Sequence, residues 1–349
     1  VFMRIFNGKT QVRMNTKILI TGAGGFIGGF IVEEALARGY EVWAGIRKTT
    51  SKEYLQDQRI RFIDLNFADR DRLKEQLLEQ KRTTGGWDYI VHNLGVTKCQ
   101  NPDDFDWINF SFVRNFADML IATGTVPRQF IYLSSLSAWG AGDEKNYRPI
   151  SPDDIPKPNT RYGASKLKSE RYLQSLDGFP YVFMRPTGVY GPRERDYFLM
   201  MKTIKHGFDF GVGYRPQQLT FIYVKDLVRA IFTVIDKGVT RRGYFLADPK
   251  GYTSHDFRRY IADALGKRIV IPVVVPVFVL RAVSVVAESL AKARGKASTL
   301  NRDKYHIMKQ RNWLCDTEAS RRELDFETAY SLEQGVHECV EWYRKNGWL

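Results

Sequence analysis

Residues 22–28 read Gly-Ala-Gly-Gly-Phe-Ile-Gly, and this run stands between the apolar stretch Ile18-Leu19-Ile20 and the segment Phe30-Ile31-Val32-Glu33-Glu34-Ala35-Leu36. A buried strand, a glycine turn and a helix in that order form the place where a dinucleotide pyrophosphate rests on a helix N-terminus. Gly22 permits the tight turn, Gly25 lets the backbone approach the phosphates, and Gly28 lets helix and strand pack closely. Phe26 and Ile27 bring free backbone N–H groups to the same end. A glycine pattern by itself also suits an ordinary strand-to-helix turn, so the residues that follow decide.

The next strand, Glu41-Val42-Trp43-Ala44-Gly45-Ile46, runs into Arg47 and Lys48, where its tip would lie beside the adenosine ribose. An acid there would hold a 2′-hydroxyl, whereas a planar guanidinium suits a 2′-phosphate, so the sequence points to NADP ahead of NAD. The alternative is that Arg47 stacks on adenine or faces solvent. Ile60-Arg61-Phe62-Ile63 reads as a third strand ending at Asp64 and Leu65, with the acid placed to accept from the adenine amino group. Tyr89-Ile90-Val91-His92 reads as a fourth, ending in Asn93, Leu94 and Gly95 beneath the cofactor. His92 is expected to be a packed strand residue.

A chain of 349 residues with 44% apolar content accommodates one large α/β domain and a smaller partner. Residues 1–14 read as a basic extension outside the fold. No signal peptide is evident, and Cys99, Cys315 and Cys339 are scattered and odd in number. These features lead us to expect a cytoplasmic protein with neither a disulfide framework nor a metal site.

The net charge is +14, but ten of those charges fall in two short pieces, residues 4–17 and 281–311. That distribution argues against a nucleic-acid groove. Just before the second piece runs the apolar stretch Ile269–Leu280, continuing to Val286 and interrupted by Pro272, Pro276 and Arg281. It is too broken to cross a bilayer, which takes about 20 apolar residues. Two readings stay open: a buried helix followed by a solvated basic face, or an apolar helix flanked by cations that lies on an anionic membrane surface or lines the path of a greasy substrate.

The chemistry follows a fifth strand, Phe130-Ile131-Tyr132-Leu133, which brings Ser135 to the edge where open α/β sheets bind ligands. Beyond a proline-punctuated connection, Arg161-Tyr162-Gly163-Ala164-Ser165-Lys166 opens a helix, and the four-residue interval puts Tyr162 and Lys166 on one face. A nearby ammonium is expected to lower the phenol pKa, leaving Tyr162 as proton donor or acceptor and Ser135 to polarise a carbonyl. Tyr305 and Lys309 repeat the interval and are read as a surface coincidence.

The residues quoted so far, with Arg185-Pro186-Thr187-Gly188-Val189-Tyr190-Gly191-Pro192 and Phe221-Ile222-Tyr223-Val224-Lys225-Asp226-Leu227, resemble the extended short-chain dehydrogenase/reductases, the epimerase/dehydratase superfamily. The resemblance covers the chain from about Lys17. It implies an α/β fold: a doubly wound parallel Rossmann sheet (residues 15–190 and 218–248) with a smaller, mostly helical C-terminal substrate domain (191–217 and 249–349). It also implies that Lys166 binds the nicotinamide ribose, that Pro186 and Thr187 border the nicotinamide, that Asn109 lies near the cofactor, and that two copies pair through helices flanking the Tyr–Lys segment.

Departures from the family pattern narrow the chemistry. Sugar-nucleotide dehydratases carry an Asp-Glu pair after the active-site hydroxyl, where this chain has Leu136 and Ser137. Epimerases commonly place an arginine where Leu219 stands, and a leucine cannot pair with phosphate. Arg193 and Arg215 are the available substitutes, which keeps a nucleotide-sugar epimerase with tightly bound NAD as the alternative. The ending, Asn312-Trp313-Leu314-Cys315-Asp316 through Trp342-Tyr343 to Trp348, resembles bacterial relatives of 3β-hydroxysteroid and sterol dehydrogenases. That resemblance implies a lipid- or steroid-like ketone or secondary alcohol as substrate, while the cysteines and the apolar–basic stretch lead us to expect a cytoplasmic location, peripheral to the inner membrane in the second reading of that stretch. Trp342, Tyr343 and Trp348 are expected to anchor the last helix.

Overall fold

The computed structural model describes residues 16–295, 298 and 300–349. The basic extension 1–14 and Lys296 of the second basic piece lie outside the described residues. The first half of the chain alternates strand and helix: β1 (Lys17–Thr21), α1 (Phe26–Ala37), β2 (Glu41–Gly45), β3 (Arg61–Ile63), α2 (Arg70–Thr84) and β4 (Tyr89–His92). Then come α3 (Asp104–Asp106), a π-helical turn (Trp107–Ser111), α4 (Phe112–Thr123), β5 (Gln129–Leu133), a 3₁₀ turn (Leu136–Ala138), α5 (Arg161–Ser175) and β6 (Tyr181–Pro186). The second half holds β7 (Gly188–Tyr190), α6 (Asp196–Lys205), β8 (Phe208–Val212), β9 (Gln218–Leu219), β10 (Phe221–Tyr223), α7 (Val224–Asp236) and β11 (Arg242–Leu246). It closes with β12 (Tyr252–Thr253), α8 (Ser254–Leu265), β13 (Ile271–Val275), α9 (Val277–Ala293), α10 (Arg302–Lys309), β14 (Asn312–Trp313), α11 (Glu318–Leu324) and α12 (Leu332–Lys345).

Seven strands form one parallel sheet in the order β3-β2-β1-β4-β5-β6-β11. The chain winds outward from β1 in one direction and then returns to β4, so the crevice for a ligand opens between β1 and β4. Because side chains alternate along a strand, Ile18 and Ile20 face one layer with Ile31, Val32 and Ala35 of α1 and Leu227 and Ile231 of α7. Leu19 faces the other, with Leu73 and Leu77 of α2, Phe116 and Leu120 of α4, and Leu173 of α5. Strands β4, β5 and β6 are buried along their whole length, as expected for a parallel sheet covered on both faces.

A separate core joins α6, α8 and α12 through Met201, Ile204, Phe257, Ile261, Val336 and Val340. Tyr343 is fully buried there and donates to the carbonyls of Gly191 (3.0 Å) and Glu194 (2.6 Å), while Trp348 stacks on its ring. The terminal aromatics thus fasten the last helix to the body, as the sequence predicts.

The apolar stretch 269–286 is not a buried helix. It is a strand, β13, cut at Pro276 from α9, which buries only Leu280 and Ser284. Among the described residues no helix is long and apolar enough to cross a membrane.

One buried ion pair ties α5 to the sheet. Arg185 on β6 donates to both oxygens of Glu170 (2.8–3.1 Å), and its guanidinium lies 3.9 Å from the Trp139 ring centroid. Both side chains are almost completely buried, so removing one partner strands the other charge. Glu170→Gln is expected to lower the unfolding free energy by roughly 3–5 kcal/mol. The Glu170→Leu/Arg185→Met double variant should lose less, both being read by urea denaturation.

Candidate active site

At the end of β1 the chain turns through Gly22, whose φ of +66° is the left-handed conformation that favours glycine. A Cβ on Gly28 would stand 2.2 Å from the Gly22 carbonyl oxygen, so only glycine lets α1 approach the turn this closely. The first helical bond runs from Gly29 N–H to Gly25 C=O (3.0 Å), which leaves the N–H groups of Phe26, Ile27 and Gly28 without intrahelical partners. The first turn of α1 carries no acid, so its positive dipole end is open to an anion. Asn93 Nδ2 donates to Gly22 O (3.3 Å) and Leu94 N–H to Thr21 Oγ1 (3.2 Å), joining the tips of β4 and β1 on either side of the crevice. This cradle fits a dinucleotide pyrophosphate.

At the tip of β2, Arg47 and Lys48 are exposed and form no ion pair among the described residues. The Lys48 N–H donates to Asp64 Oδ2 (3.1 Å), so one carboxylate oxygen of Asp64 already braces the loop after β2, while Leu65 beside it is buried. Pro186 ends β6, and Thr187 Oγ1 donates to the Thr220 carbonyl (2.8 Å). His92 is fully buried and stacked near Phe130 and Tyr132. Its Nδ1 meets Thr21 Oγ1 at 3.1 Å, and burial, reinforced by the Lys166 charge, pushes its pKa down to about 3. It is a neutral strand residue, as expected.

Ser135, Tyr162 and Lys166 come together because α5 packs against the turn after β5. A Cβ on Gly163 would lie 2.2 Å from Ser137 O, so the helix sits directly on that turn, and Thr160 caps it by accepting from Gly163 N–H (3.0 Å). The Ser135 hydroxyl lies close enough to Tyr162 to influence its phenol, and Ser135 Oγ accepts from Ser137 N–H (3.2 Å). Lys166 Nζ donates to Leu133 O (2.7 Å), and its nitrogen lies 4.7 Å from the Tyr132 ring centroid and 6.0 Å from that of Tyr162.

The phenol departs from expectation. Burial raises the Tyr162 pKa to about 12, with the Ser135 hydroxyl opposing, and no lowering by Lys166 outweighs this. Lys166 is buried as well, and burial brings its own pKa down to about 7, with Glu170 opposing.

Asn109 is buried inside the π-helical turn and spends its amide on protein partners. Oδ1 accepts from Val96 N–H (2.8 Å), while Nδ2 contacts Val96 O and Ser165 Oγ, both at 3.0 Å. It clamps the loop after β4 to α5 beside Gly95 and Lys166. The position after Ser135 holds Leu136, buried among Ile150, Phe245 and Trp313, and Leu219 packs against the same cluster. Arg193 is committed elsewhere: it donates to Glu33 (2.7 Å) and lies over the rings of Phe30 and Tyr54. Arg215 is exposed.

Two features had no sequence signal. Asp303 of α10 accepts from Tyr162 N–H (3.1 Å), across 141 residues. Asp196 bridges Lys98, after β4, and Lys304 of α10 at 2.5 and 3.2 Å. α10, which the Tyr305–Lys309 interval marked only as surface, therefore touches the N-terminus of α5.

The NAD dependent epimerase/dehydratase family model matches residues 18–247. The chain is 24% identical to sterol demethylase protein B of Methylococcus capsulatus, with 95% of this chain and 99% of that one covered. It is 26% identical to the UDP-glucose 4-epimerase of Vibrio cholerae over 73% of this chain and 77% of that one. The solved UDP-glucose 4-epimerase of Thermus thermophilus, in complex with NAD, superposes with a TM-score of 0.73 at 19% identity, covering 94% and 99% of the two chains. The parallel sheet with its helical C-terminal part is a Rossmann-like α/β fold. This chain belongs to the NAD dependent epimerase/dehydratase family and is an enzyme of that superfamily.

The buried lysine makes stability pH-dependent. Its folded pKa, about 7, lies below the ordinary 10.5, so the unfolded chain binds the proton more tightly. The cost of burying the charge is fully present below about pH 7 and is relieved as pH rises towards 10.5. The melting temperature of the ligand-free protein should therefore climb more steeply between pH 7 and 9.5 than that of Lys166→Met, as calorimetry would read.

Proposed function

We propose that this enzyme interconverts a ketone and a secondary alcohol on a hydrophobic, lipid- or steroid-like substrate, using NADP(H). The observation that carries the reading is that α5 seats Tyr162 against the turn carrying Ser135, with Lys166 one helical turn away and 6.0 Å from the Tyr162 ring, beside the dinucleotide cradle. Gly22, Gly25, Phe26, Ile27 and Gly28 would hold the pyrophosphate, Asp64 and Leu65 the adenine side, and Asn93, Leu94, Gly95, Pro186 and Thr187 the nicotinamide side. The bound dinucleotide supplies the hydride chemistry. Tyr162 donates a proton to the substrate oxygen, Ser135 hydrogen-bonds that oxygen, and Lys166 holds the ribose and adjusts the phenol. A phenol raised to about 12 stays protonated at neutral pH, which suits the acid role in ketone reduction.

The apolar substrate is supported by Leu136 and Leu219, packed where charged residues would serve dehydration or a sugar diphosphate. Residues 191–217 and 249–349 form the substrate side in this reading. The second reading, a nucleotide-sugar epimerase with tightly bound NAD, is favoured by the Vibrio cholerae relative and the exposed Arg215.

A panel of lipid and steroid ketones with NADPH, run beside UDP- and GDP-sugars, separates the two. Net NADPH oxidation with a ketone is expected, falling about 10²- to 10⁴-fold in Tyr162→Phe. Clean sugar interconversion without coenzyme turnover, together with failure of every ketone, would reverse the assignment.

Arg47 and Lys48 at the tip of β2 support NADP, since no acid stands there for a 2′-hydroxyl. Arg47→Asp is expected to shift the NADPH/NADH preference towards NADH by roughly 10- to 100-fold, the weight of one charge-assisted contact. Unchanged ratios of kcat/KM would remove the argument from charge.

A further inference from the structure

The second half of the chain turns apolar side chains outward. Ten of the seventeen large apolar side chains exposed among the described residues fall in two segments, 208–214 and 269–290, so their exposure is concentrated rather than scattered. β8 and β13 form an isolated two-stranded parallel sheet, with Ile271 opposite Phe208 and Val273 opposite Phe210. Phe208, Phe210 and Ile271 are 44–54% exposed on one face of this ribbon. On the opposite face of β8, Asp209 is buried and paired with Arg258 at 2.6 Å.

β13 leads through Pro276 directly into α9, which leaves most of its large apolar side chains outside the core. Its buried side is Leu280 and Ser284, with Ala287 and Ala291 half-buried near them. Its outward arc, at helical spacing, is Phe278, Ala282, Val286 and Leu290, and Phe278 is 75% exposed. A helix that buries a single large side chain, Leu280, while presenting Phe278, Val286 and Leu290 to solvent needs a further apolar phase or partner to cover it.

Charge says which. Lys205, Lys267, Arg268, Lys292 and Arg294 flank these segments, are exposed, and form no ion pair among the described residues. A second copy seated on this face would bring the same cations together, whereas a bilayer carrying anionic headgroups complements them and takes up the apolar side chains. We propose that the β8–β13 ribbon and the outer face of α9 dock the enzyme onto an anionic membrane surface, without any segment crossing it. The inference rests on this surface alone and is independent of which reaction the site performs.

The test is sedimentation of the full chain with vesicles of phosphatidylcholine alone, or containing about 30% phosphatidylglycerol. The expected result is at least about tenfold stronger binding to the anionic vesicles, weakened by high salt. Phe278→Asp/Val286→Asp should abolish it by removing the apolar contact. Lys267→Glu/Arg268→Glu should weaken it about tenfold or more by reversing the charge. Titration with NADPH or NADH checks that each variant keeps its fold, and the two variant pairs fail independently. Absence of vesicle binding, or equal binding to neutral and anionic vesicles, would overturn the proposal. So would a dimer in analytical ultracentrifugation that Phe278→Asp/Val286→Asp dissolves, since a second copy would then be what covers the face.

Discussion

Lys166 Nζ is buried where β5 ends, donating to the Leu133 carbonyl, and the surrounding residues are arranged around the cost of that burial. An amine removed from water loses affinity for its proton unless an acid stands near. Glu170, one turn further along α5, supplies the negative charge, and Arg185 from β6 in turn neutralises Glu170. The result is an alternating row of charges linking the candidate proton-handling helix to the sheet. Trp139, which ends the 3₁₀ turn after Ser135, covers the Arg185 guanidinium. With Glu170 shared between two cations, Lys166 remains poised near neutrality, where a small change in its surroundings alters its protonation.

Two independent close approaches assemble the site. Gly28 lets α1 meet the turn after β1, and Gly163 lets α5 meet the turn after β5. β4 stands between those strands, its tip tied to Thr21 and Gly22 on one side, and the following loop clamped to α5 by Asn109 on the other. The π-helical turn around Asn109 places its carbonyl within reach of Ser169 Oγ at 2.6 Å as well. An irregular turn at this position lets one residue serve both α5 and the loop after β4.

What was legible in the sequence is what is local. The glycine turn, the strand ends at Ser135 and Asn93, and the Tyr162–Lys166 interval each depend on a few neighbouring residues and an allowed backbone conformation. The phenol pKa departs from what the spacing predicts because spacing reports proximity to an ammonium but not burial, and burial affects both partners at once. Asp303 at the Tyr162 N–H, and Asp196 between Lys98 and Lys304, join segments about a hundred residues or more apart and leave no periodic trace. For α9 the difficulty was of another kind. An apolar run reads the same whether its large side chains face inward or outward, and only packing assigns the direction.

That direction bears on how a greasy substrate would reach the candidate site. α9 and α10 are consecutive, and contact between them includes Arg302 beside Glu288. α10 in turn supplies Asp303 to the N-terminus of α5 and Lys304 to Asp196 of α6. A displacement of α9 on an apolar phase would therefore be felt first at the polar contacts of α10. These are partly exposed ion pairs and single hydrogen bonds, each worth little compared with the buried Arg185–Glu170 pair. Close packing and buried charge thus hold the candidate cofactor cradle and the candidate proton-handling residues, while α9, with its outward apolar face, reaches them through partly exposed polar contacts of α10.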